Sequence, residues 1–79
     1  MKLDPTDLYK IANMEMPFGK YKGRILLDLP EAYISWFSRE GWPAGELGRL
    51  LAQLYDIKIN GLSHLIAPLR NKLPPSPSA

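Results

Sequence analysis

One stretch constrains the fold of this chain more than the rest: Met16-Pro17-Phe18-Gly19-Lys20-Tyr21-Lys22-Gly23-Arg24. Gly19 and Gly23 read as loop-shaping turn residues, since glycine reaches positive φ or lets the backbone approach a neighbour closely. Met14, Met16 and Phe18 fall on one face of an extended segment, and Ile25, Leu27 and Leu29 on one face of the next, because side chains alternate with period two along a strand. This pattern predicts a β-hairpin, with Lys20, Tyr21 and Lys22 at its tip and Arg24 beside them. Pro17 lacks a ladder donor, which suits an edge strand. A lone two-stranded ribbon is marginal in water, so helices must cover its apolar face.

Helical signals stand on both sides of this stretch. Asp4-Pro5-Thr6-Asp7 opens a short helix, with Asp4 as cap, Pro5 where a missing N–H costs nothing, and Asp7 at the positive helix end. Asn13 is read as its αL terminator. Asp28-Leu29-Pro30-Glu31 has capping-box spacing for a second helix that presents Tyr33, Ile34, Trp36 and Phe37. Gly41 is read as its left-handed cap, with Trp42 folding back on Phe37. Leu47, Leu50, Leu51, Leu54 and Tyr55 then form a full amphipathic stripe. Gly45 and Gly48 leave a smooth patch near its start, suited to close packing by another element or to a dimer contact. Asn60-Gly61 breaks the helix, and Leu62, Leu65, Ile66 and Leu69 belong either to a final helix or to a kinked continuation. Leu73 to Ala79 carries three prolines and two serines without periodicity, and reads as a disordered tail.

The ordered string of Phe18-Gly19-Lys20-x-Lys22-Gly23, Asp28-Leu29-Pro30, Tyr33, Trp36, Gly41-Trp42-Pro43, Gly45, Leu47-Gly48, Leu50-Leu51, Ile57-Lys58-x-Asn60-Gly61-Leu62 and Pro68-Leu69-Arg70 resembles a small bacterial family. Its members are described as putative quorum-sensing-regulated virulence factors of unknown function. The Phe18–Trp36 portion is also similar to a C-terminal module of exonuclease-X-like proteins. The first resemblance implies a regulatory context rather than an activity; the second implies an association with nucleic-acid enzymes.

Charge is segregated along the chain. Residues 16–27 and 57–79 each sum to +3 and contain no carboxylate, whereas residues 28–56 sum to −3, within a net charge of +2. Such segregation can build a basic face on a nearly neutral protein. The chain has 79 residues and no cysteine, so it forms at most one domain and has neither a disulfide framework nor a thiolate metal site. No apolar run approaches a membrane span, and the N-terminal residues lack a signal-peptide core. Cytoplasm is the expected compartment.

Catalysis finds little to work with. His64 is the one histidine, and it sits in an apolar helix rather than beside a nucleophile. Asp28 and Glu31 are explained as a cap. No convergent ligand set for a metal or cofactor appears, and the Gly19–Gly23 loop lacks the Gly-Lys-Ser/Thr ending of a nucleotide-hydrolase loop. The hairpin tip is the better candidate: lysines bind phosphates as point charges, arginine offers a planar fork, and an exposed tyrosine stacks on bases.

The expectation is therefore an α+β domain over residues 1–72, order α-β-β-α-α-(α), with the hairpin packed against two or three helices. Its core would contain Phe18, Ile25, Leu27, Trp36, Phe37, Leu47, Leu50, Leu51 and Leu54. Its expected function is non-enzymatic and cofactor-free: binding of DNA or RNA through Lys20, Tyr21, Lys22 and Arg24, extended by Lys58 and Arg70. The alternative is a regulatory adaptor, binding a protein partner or a second copy through the helical face. Neither reading involves a membrane.

Overall fold

The computed structural model describes residues 5–72. They form four α-helices, α1 (Pro5–Asn13), α2 (Glu31–Glu40), α3 (Gly45–Ile59) and α4 (Ser63–Ile66), with 3₁₀ turns at Leu26–Asp28 and Ala67–Leu69. No β-strand occurs among the described residues, so the expected α+β class with its hairpin is overturned. A single antiparallel bridge, Glu15 to Ile25, stands in its place.

Backbone hydrogen bonds explain why the ladder stops after one rung. The Leu26 N–H donates to the Met14 carbonyl at 2.9 Å, and the Met16 N–H to the Arg24 carbonyl at 2.8 Å. Toward the tip, the Met16 carbonyl accepts from Gly23 at 2.8 Å while the Arg24 N–H turns into the loop, to the Tyr21 carbonyl at 3.0 Å. Pro17 has no N–H to extend the pairing. On the other side, the Asp28 N–H returns to the Ile25 carbonyl at 2.9 Å and the Leu29 N–H to the Leu26 carbonyl at 3.0 Å. The chain thereby coils where a second strand was expected. Coiling buries Leu26, Leu27 and Leu29 together and leaves Ile25 only half-buried, a result that period-two alternation cannot produce.

The core is helical. Ile11 and Ala12 of α1, Ile34 and Phe37 of α2, and Leu50, Leu51, Leu54 and Ile57 of α3 close around Met16, Leu26 and Leu29. Leu47 and Tyr55 flank it, half-buried. Phe18 and Trp36, expected in the core, are instead 45% and 49% exposed. One buried polar pair crosses between helices. Asp7 accepts from Gln53 Nε2 at 2.8 Å and meets the Arg49 guanidinium at 3.3 Å, so its role extends beyond the helix end that the sequence suggests.

Several terminal signals fall in other places than expected. Pro30 precedes α2 with no side-chain cap, so the Asp28–Glu31 capping box does not form. Asn13 stays within α1 and acts as a latch. Its Nδ2 donates to the Leu69 carbonyl at 2.9 Å and to the Lys72 carbonyl at 3.1 Å, and its Oδ1 accepts from the Asn71 N–H. The expected Asp4 cap and the tail over residues 73–79 lie outside the described residues. Trp42 stacks on Phe37 at 6.4 Å with ring planes 17° apart.

The left-handed cap belongs to α3 rather than α2. Gly61 has φ +68°, its N–H donates to the Lys58 carbonyl at 3.1 Å, and the Leu62 N–H reaches the Ile57 carbonyl at 2.9 Å. These are the two bonds of a Schellman motif. Gly41, with φ 119° and ψ 140°, lies outside the αL region and close to a region that is essentially glycine-only. Gly61→Val should therefore cost about 1–2 kcal/mol while Gly61→Asn costs much less. Gly41→Val and Gly41→Asn should both destabilise, since Asn is no remedy outside the αL region. Thermal melts of the four variants check this; an Asn tolerated equally at both positions contradicts the assignment.

Candidate nucleic-acid interface

The residues from Met16 to Arg24 form a loop of two successive tight turns. The Lys22 N–H donates to the Gly19 carbonyl at 3.2 Å, the Arg24 N–H closes the second turn on Tyr21, and Gly19 and Gly23 have φ of +81° and +90°. At Gly19 the surroundings also restrict size, since a Cβ there would lie 2.9 Å from the Tyr33 hydroxyl. The loop thus rests on α2 through Tyr33. Tyr21 meets the Tyr33 ring edge-on, with centroids 4.7 Å apart.

The cations of the loop point outward. Lys20, Lys22 and Arg24 are exposed, and none forms a salt bridge with a carboxylate among the described residues. The Lys20 ammonium lies 5.6 Å from the centre of the Tyr21 ring and the Arg24 guanidinium 5.3 Å, a cation–π arrangement. Tyr21 is consequently half-buried, engaged by Tyr33 and by its own neighbouring cations. It is not the open stacking surface that the sequence suggests.

Asp28 joins the two basic segments. Arg70 donates to it through both terminal nitrogens, with Nη1 to Oδ2 at 2.9 Å and Nη2 to Oδ1, the planar fork that arginine offers a carboxylate. That hydrogen bonding holds the Asp28 carboxyl below its usual range; desolvation opposes the shift, and the charges of Arg70, Lys58 and Arg24 add to it. The Arg70 guanidinium is correspondingly held above its usual range by the Asp28 hydrogen bond. Arg70 thus ties the C-terminal basic segment to Asp28, and the charges of Lys58 and Arg24 also act on that carboxylate. Arg70 is committed to Asp28 rather than free for a ligand.

This pair carries a pH dependence of defined sign. A carboxyl whose folded pKa lies below its unfolded value stabilises the fold above the unfolded pKa, and that contribution is lost as pH falls through the folded pKa. Wild type should therefore melt slightly above Asp28→Asn at neutral pH, by less than about 1 kcal/mol for so exposed a pair. The gap should close below about pH 4, the ordinary aspartate range. A gap that widens on acidification contradicts the assignment.

A second ionic group lies between α1 and α3. Lys10 donates to Glu46 at 2.6 Å, and Arg49 reaches Glu46 at 3.5 Å as well as Asp7. The Lys10 hydrogen bond holds the Glu46 carboxyl below its usual range. Its charges balance, so it adds nothing to the basic surface. Among the described residues, no group of three His, Cys, Asp or Glu side chains is placed to hold a metal ion. No helix there is long and apolar enough to cross a membrane.

The family model described as "Putative quorum-sensing-regulated virulence factor" matches residues 4–69. The chain belongs to that family. It is also 50% identical over 72 residues to the "Uncharacterized protein YpeB" of Escherichia coli strain K12 and to the protein of the same name in Escherichia coli O157:H7. Each alignment covers 90% of this chain and 100% of the relative. No solved structure matches the chain. The family description concerns regulation, and the relatives' names carry no activity, so the chemistry of this member rests on its own surface. These matches do not bear on the likeness of Phe18–Trp36 to an exonuclease-appended module.

Proposed function

We propose that this domain is a non-enzymatic module that binds the phosphate backbone of nucleic acid through Lys20, Lys22 and Arg24, with Lys58 adding positive charge. One observation carries the reading: Lys20, Lys22 and Arg24 are exposed together on the glycine-bounded loop, and none of them is paired with a carboxylate among the described residues. Asp28, the acidic residue that follows this segment, is already occupied by Arg70, which leaves the loop cations in excess. Clustered, unpaired cations release counterions from a polyanion, and that release supplies most sequence-independent affinity. The glycine-bounded loop holds the lysines on backbone turns rather than on a flexible tail. The reading requires no cofactor and fits a cytoplasmic protein.

A protein-binding adaptor is the second reading, and Ile59, Leu62 and Leu65 favour it, being 51%, 37% and 59% exposed at the corner between α3 and α4. The test is a titration of the purified domain against single-stranded and duplex DNA and RNA at low salt. Binding that fades steeply as salt rises supports the phosphate reading. If the folded domain binds no nucleic acid at low salt, the phosphate reading is wrong and the adaptor reading takes its place.

A further inference from the structure

Two large aromatic side chains, Phe18 at 45% and Trp36 at 49% exposure, stand in solvent although their composition suits a core. Both lie one step from Tyr33, which anchors the basic loop. Phe18 precedes Gly19, where a Cβ would lie 2.9 Å from the Tyr33 hydroxyl. Trp36 follows Tyr33 by three positions on α2, the spacing of side chains on adjoining turns. Ring contacts link the loop to the indole: Tyr21 to Tyr33 at 4.7 Å, Tyr33 to Phe37 at 5.2 Å, and Phe37 to Trp36 at 5.1 Å. Trp36 meets Phe37 at an interplanar angle of 77°, an edge-to-face contact that fixes the orientation of the indole.

Resting on the phosphate-binding reading above, we infer that Trp36, with Phe18, is the base-stacking platform of this surface, and that the ligand class is single-stranded nucleic acid. Grooves that take single strands pair cations for the backbone with aromatic faces for the bases, and every base has a π-face to offer. A duplex keeps its bases stacked inside and gains nothing from an exposed indole. The surface therefore selects single strands over duplexes by stacking, while its cations serve both. Tyr21, half-buried and already engaged by Tyr33, Lys20 and Arg24, supports the cations rather than the bases.

The experiment compares wild type, Trp36→Ala and Trp36→Phe for binding to an oligothymidylate single strand and to a duplex of equal length, with thermal melts to verify folding. Trp36→Ala should weaken single-strand binding by about 5- to 150-fold, leave the salt slope and the duplex affinity unchanged, and be largely rescued by Phe. A second measurement does not depend on that variant folding. Tryptophan fluorescence of Trp42→Phe, which keeps only Trp36, should be quenched on adding the single strand. Salt-dependent binding that is unaltered by Trp36→Ala, or no quenching in Trp42→Phe, overturns the stacking platform and leaves the basic surface standing. Absence of binding by the wild type overturns both.

Discussion

Gly48→Ala is expected to destabilise the domain by at least about 3 kcal/mol, toward the upper end of overpacking costs. Gly48 is buried in the second turn of α3, and a Cβ built there overlaps the Pro43 carbonyl oxygen and approaches the Pro43 carbonyl carbon at 2.9 Å. The obstructing atoms are backbone, so no side-chain rotation relieves the clash. Relief requires shifting the Trp42–Ala44 connection, which sets how α2 packs on α3 and how Trp42 stacks on Phe37. For a domain of this size, total stability is about 4–12 kcal/mol by the usual per-residue scale. The loss is therefore a large share of the whole. Urea unfolding of the variant checks it, and a loss below about 1 kcal/mol contradicts the packing described. The same contact explains a glycine inside a helix without a dimer interface: its neighbour is the chain's own preceding loop.

How much was legible depended on the range of the forces involved. The stripe Leu50, Leu51 and Leu54 is buried as its helical spacing predicts, because one face of a long helix must leave water. The hairpin was not legible as a turn-and-coil. The alternation of Ile25, Leu27 and Leu29 passes over Leu26, which is fully buried. Three consecutive apolar residues at 25–27 were the available sign that period two does not hold there. Trp36 had a sign too. At about 100° per residue, a helix face centred between Ile34 and Phe37 leaves Trp36 about 130° away, toward solvent.

Other outcomes had no local signal. Asp28 and Arg70 are 42 positions apart, so their pairing could not be read from capping-box spacing, and it removes from the ligand-binding set a cation that composition alone places there. The Asn13 latch onto residues 69–72 is equally long-range. Gly41 and Gly61 both follow a helix, yet only the second takes the αL conformation. The difference lies in the chain that follows each one: Pro43 and the start of α3 after the first, Leu62 returning to Ile57 after the second. For the candidate site, the lysines and glycines were legible as a loop. The pairing of Arg70 with Asp28, just after that loop in the chain, was not.

Conversion of Lys20, Lys22 and Arg24 together to Ala should have the largest effect on binding. Phosphate contacts carry no base information, so the triple variant should lose affinity for every sequence alike. Each phosphate neutralised contributes about 0.7–0.9 to the fall of log K with log salt. All three residues are exposed and outside the buried core, so the fold should survive the change. The decisive measurement is the slope of log K against log salt for wild type and for this variant, on one single-stranded oligonucleotide. A basic surface of the kind described flattens that slope by about two to three units in the variant. An unchanged slope, in a variant that melts as wild type does, contradicts it.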